Sequence, residues 1–323
     1  MLLTVRHETR FRHEPAVRES VMELWIQPQQ SVRQRLTKFF IELEPAAQLF
    51  SYTDFLGNAV YHFDIPQSHS RLAIQSTANV ETTPPPHAPT TLGGGEWELI
   101  HGDQTADRYF DFLHPHGFAR PTPRLDAFIA RHDLGALQLS DPLTAMRRLS
   151  DALYAALSYK TGVTAVDSPI DHALEAGSGV CQDFAHVMIA IARSWGVPAR
   201  YVSGYLFTDR SAGDRSDPDA THAWVEVFLP SLGWIGLDPT NNIAAGERHI
   251  CVAIGRDYAD APPSRGVYKG EAASELTVAV SVREGSAEAV GSEFTRTVRP
   301  LISSTGQRLP SSAALDQLLQ QQQ

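Results

Sequence analysis

The chain has 323 residues, is 42% hydrophobic and 20% charged, and carries a formal net charge of −10. That length supports about two domains, the composition excludes disorder over the whole chain, and the acidic balance argues against nucleic acid as a partner. Two cysteines, Cys181 and Cys251, exclude a disulfide framework and a four-thiolate zinc site.

The first residues, Met1–Glu8, hold no basic stretch leading into an apolar one, and no run approaches the length of a membrane span; a cytoplasmic protein with no membrane partner is expected. From Leu3 to Val80 the pattern is mostly period two. Leu3, Val5, His7, Thr9 and Phe11 oppose Thr4, Arg6, Glu8, Arg10 and Arg12, which predicts a strand with one polar face. Further strands are predicted at Val21–Gln27, Gln34–Glu42, Ala59–Ile65 and Leu72–Val80, with Gly57-Asn58 as a hairpin signal. Residues 1–81 read as an all-β domain, a sandwich or open barrel, and His7, His13, His62 and His69 as its strand or surface histidines.

Residues 82–95 run from Pro84-Pro85-Pro86 to Gly93-Gly94-Gly95, a linker composition, and a core over residues 96–265 follows. A short helix is predicted at Arg124–His132. A stronger one opens at Asp141-Pro142, an N-cap residue followed by proline at the first helical position, with Leu143, Met146, Leu149, Leu153 and Leu157 as its apolar stripe. Ile170–Ala176 supplies one or two turns before Gly177-Ser178-Gly179.

Phe184, Val187, Met188, Ile191, Ala192 and Trp195 recur at helical spacing, and Gly196 and Pro198 stop them. Cys181 therefore falls in the first turn of a helix. Amides and the positive dipole end there favour a thiolate over a thiol and aim N–H groups at an oxyanion forming beside the sulfur. A lone cysteine in an apolar helix is more often plain core, so partners must decide. They lie downstream. Thr221–Leu229 alternates in character, Pro230–Gly233 reads as a turn, and Trp234–Asp238 is a second run, so His222 and Asp238 stand on paired strands as base and orienter. Gly179, Gln182, Thr221 and Trp224 flank these residues and are candidates for a substrate cleft.

The runs GSGVCQDFAHVMIAIARSWGVPARYVSGY and THAWVEVFLPSLGWIGLDPTNN resemble the transglutaminase-like superfamily, and Leu3–Val80 is similar to the N-terminal β-domain of its bacterial members. The resemblance implies an α+β protein: an all-β domain, then a papain-like core with helices packed on an antiparallel sheet. It implies Cys181 as nucleophile, His222 as general base and acid, and Asp238 as the group that orients the imidazole. The activity implied is thiol-dependent hydrolysis or acyl transfer at amide or peptide bonds of a peptide or protein substrate. Animal members use a tryptophan ahead of the cysteine as an oxyanion donor; none lies between Trp97 and Cys181 here. Hydrolysis is favoured, no cofactor or metal is required, and a catalytically silent interaction module is the alternative. A metal site built from Cys181, His222 and Asp238 is a third possibility.

The hairpin sets a geometric condition. Cross-strand neighbours share a face, so His222 and Asp238 can meet only if paired residue numbers sum to an even value. Pairing Leu229 with Trp234 across a four-residue loop would separate them; a connection of three or five residues, or a bulge, is expected. Upstream, Ala199–Phe207 predicts a strand, and Thr208–Thr221 an exposed loop whose Asp214, Asp217 and Asp219 read as solvated groups rather than a calcium loop. His249–Ile254 predicts a strand holding Cys251 as core, residues 266–290 hold a C-terminal strand, and residues 291–323 form a partly disordered tail frayed at Gln320–Gln323.

Overall fold

The computed structural model describes residues 1–285 apart from Ala88 and Gly94, so the expected tail over 291–323 lies outside the described residues. In chain order, β1 (Leu2–Leu24), β2 (Gln34–Glu44), β3 (Phe50–Thr53), β4 (Ala59–Ile65) and β5 (His69–Thr82) come first. Helices α1 (Glu96–Ile100), α2 (Asp103–Arg108), α3 (Phe110–Leu113), α4 (Pro123–Arg131), α5 (Pro142–Ala156) and α6 (Ile170–Ala176) follow. Two short strands, β6 (Ser158–Tyr159) and β7 (Ser178–Gly179), pair in parallel ahead of α7 (Cys181–Ser194). The chain then forms β8 (Ala199–Leu206), β9 (His222–Leu229), β10 (Gly233–Asp238), β11 (Ile243–Ala244), β12 (His249–Gly255), β13 (Ser264–Lys269) and β14 (Ala273–Glu284).

The fold is α+β: an antiparallel N-terminal sheet, then helices on a second antiparallel sheet. Where the sequence pattern predicts separate strands near Leu3 and at Val21–Gln27, a single 23-residue β1 runs through both. Its first half pairs with β5 and β14 and its second half with β4 and β13. Pro15, which has no N–H to donate, falls between the two paired halves, where it removes no ladder bond. The C-terminal strand is a full member of this sheet: β14 lies along β1 from Leu3↔Glu284 to Glu14↔Ala273.

In the second sheet the order is β11-β10-β9-β8-β12. Residues Cys181 to Arg193 of α7 are all buried, as suits a helix enclosed on every side. Val187, Met188 and Ile191 share one core cluster with Leu143, Met146 and Leu149 of α5 and with Ala223, Val225 and Val227 of β9.

The N-terminal domain closes the free edge of β12, an edge that would otherwise offer unpaired backbone groups to another chain. Asn58, fully buried, accepts the Ile254 N–H and donates to the Ile254 carbonyl, both at 2.8 Å. Gln34 does the same for Cys251, again at 2.8 Å in each direction. His7 lies within this seam, its Nδ1 2.9 Å from Tyr205 Oη, and burial pushes its pKa down to about 4. Strand β12, which carries His249, is thereby held on both sides. Cys251 is half-buried on the same strand with its thiol toward Gln29 Oε1, and burial raises its pKa.

Candidate active site

Cys181 is the first residue of α7, and its amide is one of those aimed out of the first turn. The entry into the helix is built by Asp183, whose Oδ2 accepts the Val180 N–H at 2.8 Å and the Thr164 hydroxyl at 2.6 Å. Gly179 is required there, because a Cβ would stand 2.4 Å from Asp183 Oδ2. Burial raises the Asp183 pKa to about 6, against the pull of Thr164, the Val180 amide and His172.

The folded Asp183 carboxyl binds its proton more tightly than the unfolded one, ordinarily 3.8. Its contribution to stability is full below pH 4 and lost as pH rises to 6, a difference on the order of 3 kcal/mol. Asp183→Asn keeps an acceptor for the Val180 amide and removes the titration. Thermal midpoints measured across pH 4 to 7 are expected to fall less with rising pH in this variant than in the parent; parallel profiles would refute the assignment.

Strands β9 and β10 are joined by three residues, with Leu229 paired to Gly233, Phe228 to Trp234 and Val225 to Leu237. The sums are even, the condition that the hairpin had to meet. Gly233 takes φ +77°, a left-handed conformation that glycine supplies without strain. Continuing the register sets Trp224 opposite Asp238 and His222 on its diagonal. His222 Nε2 lies 2.8 Å from Asp238 Oδ2, and the Cys181 side chain is hydrogen bonded to His222. The three residues expected to act together are thus in contact, with exposures of 2%, 1% and 0% for Cys181, His222 and Asp238.

Burial by itself would lower the His222 pKa; the Asp238 charge and hydrogen bond, together with Cys181, outweigh it and hold His222 above its ordinary value. Burial would raise the Asp238 carboxyl, but the imidazoles of His222 and His249 hold it well below the usual carboxylate range. Two further groups converge on Asp238 Oδ2: His249 Nε2 at 3.3 Å and Asn241 Nδ2 at 2.7 Å. His249 Nδ1 accepts the Gly246 N–H at 3.2 Å, which leaves the proton on Nε2 to be donated to Asp238. Burial lowers its pKa against the pull of Asp238, consistent with a neutral ring. On the other oxygen, Asp238 Oδ1 accepts the Thr240 and Asn241 amides at 3.0 and 3.2 Å.

The remaining cleft candidates are packed inward. Gln182 donates to the Val166 carbonyl at 2.7 Å, and its Oε1 is buried with no hydrogen-bond partner among the described residues. Thr221 is buried just ahead of β9. Trp224 forms a wall behind the pair, its ring centroid 6.1 Å from His222 and 5.1 Å from His249. The Thr208–Thr221 loop departs from the exposed reading: Asp214 and Ser216 are buried. Asp214 pairs with Arg248 at 2.6 Å, a partner too distant in sequence for a local pattern to announce, and Ser216 reaches His222 Nδ1 at 3.3 Å. Among the described residues, His222, Asp238 and His249 are the His, Cys, Asp or Glu group whose ligand atoms all lie within 4.8 Å of one another. The Asn241 amide donor directed at the same carboxylate oxygen fits a network of protons there better than a cation.

Sequence reasoning missed Ser216, Asn241 and His249. An Asp-Pro-Thr-Asn turn signals amides folding back on the aspartate, so Asn241 had a local signal; His249 had none.

Residues 135–239 match the model of the transglutaminase-like superfamily, and residues 3–81 that of the bacterial transglutaminase-like N-terminal region. An uncharacterised protein of Mycobacterium tuberculosis is 34% identical over 294 residues, which span 86% of this chain and 91% of that protein. The protein-glutamine gamma-glutamyltransferase of Pseudomonas aeruginosa is 34% identical over 155 residues, 42% of this chain and 23% of its own length. A crystal structure of a candidate cysteine protease from Cytophaga hutchinsonii shares the fold at a TM-score of 0.67 and 19% identity, covering 92% of this chain and 93% of that one. By these matches to both of its halves, the chain belongs to the transglutaminase-like superfamily, with the bacterial N-terminal region ahead of the core.

Proposed function

We propose that the protein is a cysteine-dependent amidase or peptidase acting on a peptide or protein amide. The observation that carries this reading is a buried His222–Asp238 bond set against a cysteine at the first turn of α7. The Cys181 sulfur adds to the amide carbonyl; the C–N bond then breaks as His222 delivers a proton to the departing amine, leaving a thioester. Water, deprotonated by His222, attacks the thioester, and the acid leaves as the thiol is restored. Asp238 holds the imidazole in the tautomer with its proton on Nε2, so that Nδ1 can take the thiol proton. The scheme requires no cofactor.

A second reading, transfer of the acyl group to an amine, is favoured by the name of the Pseudomonas aeruginosa relative. Both readings share the thioester and differ in what resolves it.

The test is the pH dependence of iodoacetamide labelling at Cys181 in the parent and in His222→Ala. Rapid labelling well below the ionisation range of a free thiol, about 8.5, is expected in the parent and lost in the variant. Slow labelling with identical profiles would sink the catalytic reading in favour of a silent interaction module. Peptide amides supplied with and without a primary amine then separate hydrolysis from transfer.

A further inference from the structure

Asn241 is engaged on every side-chain polar atom. Its Oδ1 accepts the Arg215 N–H at 2.7 Å and the Ser216 N–H at 3.1 Å. Two donors at that end fix which way round the amide lies. Its Nδ2 consequently faces Asp238 Oδ2 at 2.7 Å and Ser216 Oγ at 2.7 Å. Ser216 Oγ in turn lies 3.3 Å from His222 Nδ1, while Asp238 Oδ2 holds His222 Nε2 at 2.8 Å. One amide therefore reaches Nδ1 through Ser216 Oγ and Nε2 through Asp238 Oδ2, and its Nδ2 also lies 3.5 Å from Nε2 itself.

The local chain explains how it gets there. Asp238 Oδ1 draws in the Thr240 and Asn241 amides, turning the backbone so that the Asn241 side chain folds back beneath the carboxylate. Asn242, at φ +55°, then leads the chain away into β11. All of Ser216, His222, Asp238 and Asn241 are 6% exposed or less, so these bonds compete with little water.

A single bond to Asp238 leaves an imidazole free to swing about its Cβ–Cγ bond. Anchors at opposite nitrogens remove that freedom. The other groups facing the ring are the Cys181 thiol, the neutral His249 that shares the Asp238 oxygen, and the Trp224 indole; none of them spans both nitrogens. We infer that Asn241 is a positioning residue that fixes His222 between Cys181 and Asp238, acting through Asp238 on one side and Ser216 on the other. The inference rests on the proposed catalytic reading of the site. It also gives the Thr208–Thr221 loop a defined part, since that loop supplies the Ser216 link.

The experiment is the pH profile of iodoacetamide labelling at Cys181 in the parent, Asn241→Ala, Ser216→Ala and the double variant, with thermal midpoints recorded alongside. In Asn241→Ala, labelling at neutral pH is expected to slow by roughly ten- to a hundredfold, taking as a guide the loss when the outer partners of metal-ligating histidines are removed. Its pH midpoint is expected to move upward, because a swinging imidazolium stabilises the thiolate less. Ser216→Ala should move the midpoint in the same direction by less, and the double variant should be no slower than Asn241→Ala, since both substitutions break one connected path. An unchanged rate and midpoint in Asn241→Ala beside a fast parent, with only the thermal midpoint lowered, would overturn the inference and make the residue a structural peg. Should Asn241→Ala fail to fold, Ser216→Ala decides alone: a profile superimposable on the parent's overturns it. Slow labelling in the parent itself would instead strike the catalytic reading beneath it.

Discussion

Asp238→Asn is expected to lower acylation of Cys181 by on the order of 10⁴-fold, the loss seen when the carboxylate orienting a catalytic histidine becomes an amide. With an activated ester as probe, the variant should approach the baseline of Cys181→Ala. The cause lies in the donors around the carboxylate. His222, His249 and the Asn241 side chain crowd Oδ2, and the amides of Thr240 and Asn241 crowd Oδ1. An asparagine offers one acceptor oxygen, so whichever way it lies its NH₂ group faces N–H donors. If the oxygen stays with the backbone amides, the NH₂ meets His222 Nε2 and drives the ring into the tautomer with its proton on Nδ1, which cannot accept the thiol proton. If the oxygen turns to the imidazoles, the two backbone donors are left buried and unsatisfied, at about 1–3 kcal/mol each. The pH dependence of stability should change as well. The depressed carboxyl contributes stability present above its unfolded value and lost as pH falls, while the raised histidine contributes stability lost as pH rises; Asp238→Asn removes the first and weakens the second. Activity within tenfold of the parent would mean that His222 is oriented by other groups.

What the sequence made legible here was local. The start of α7 at Cys181 follows from an apolar period ending at Gly196, and the even parity of the β9–β10 hairpin follows from the need for His222 and Asp238 to share a face. Gln34–Glu44 and Ala59–Ile65 are visible as alternating runs because a strand writes its burial into every second residue. What stayed hidden was the choice of distant partners. Nothing in Ala273–Glu284 names β1 as its neighbour some 270 residues earlier, and nothing in His249 names Asp238. The aspartates of the Thr208–Thr221 loop looked solvated because Arg248 and Asn241, which take Asp214 and the Ser216 backbone out of water, lie beyond the hairpin. A polar residue reads as surface until its partner is known, and in this site each such partner comes from another element.

Gly204→Ala is expected to be the most damaging small substitution in the core. Gly204 sits in β8 opposite His222 on one side and opposite Cys251 on the other. An added Cβ would stand 2.1 Å from the Ile250 carbonyl oxygen, and 2.8 and 3.0 Å from the Trp224 ring atoms Cη2 and Cζ3. The first neighbour is backbone of β12 and has no rotamer to escape into. The second is a buried indole confined behind His222 and His249. Glycine inside an alternating run signals close approach by something, and the fold supplies what the pattern withheld: a carbonyl and a ring. Overpacking a core costs about 1–3 kcal/mol, and a backbone clash in β8, between β9 and β12, places this one at or above the upper end. Urea denaturation should show that loss, and iodoacetamide labelling of Cys181 should slow with it, because relief of the clash moves Trp224 against His222. Gly135→Ala is the matched control: its Cβ meets nothing within 4 Å, so labelling should not change and stability should hold or rise by at most about 1 kcal/mol. Equal stabilities for the two variants would mean that β8 and β12 separate freely at this point, and the indole would then have to be held behind His222 by contacts other than the glycine beneath it.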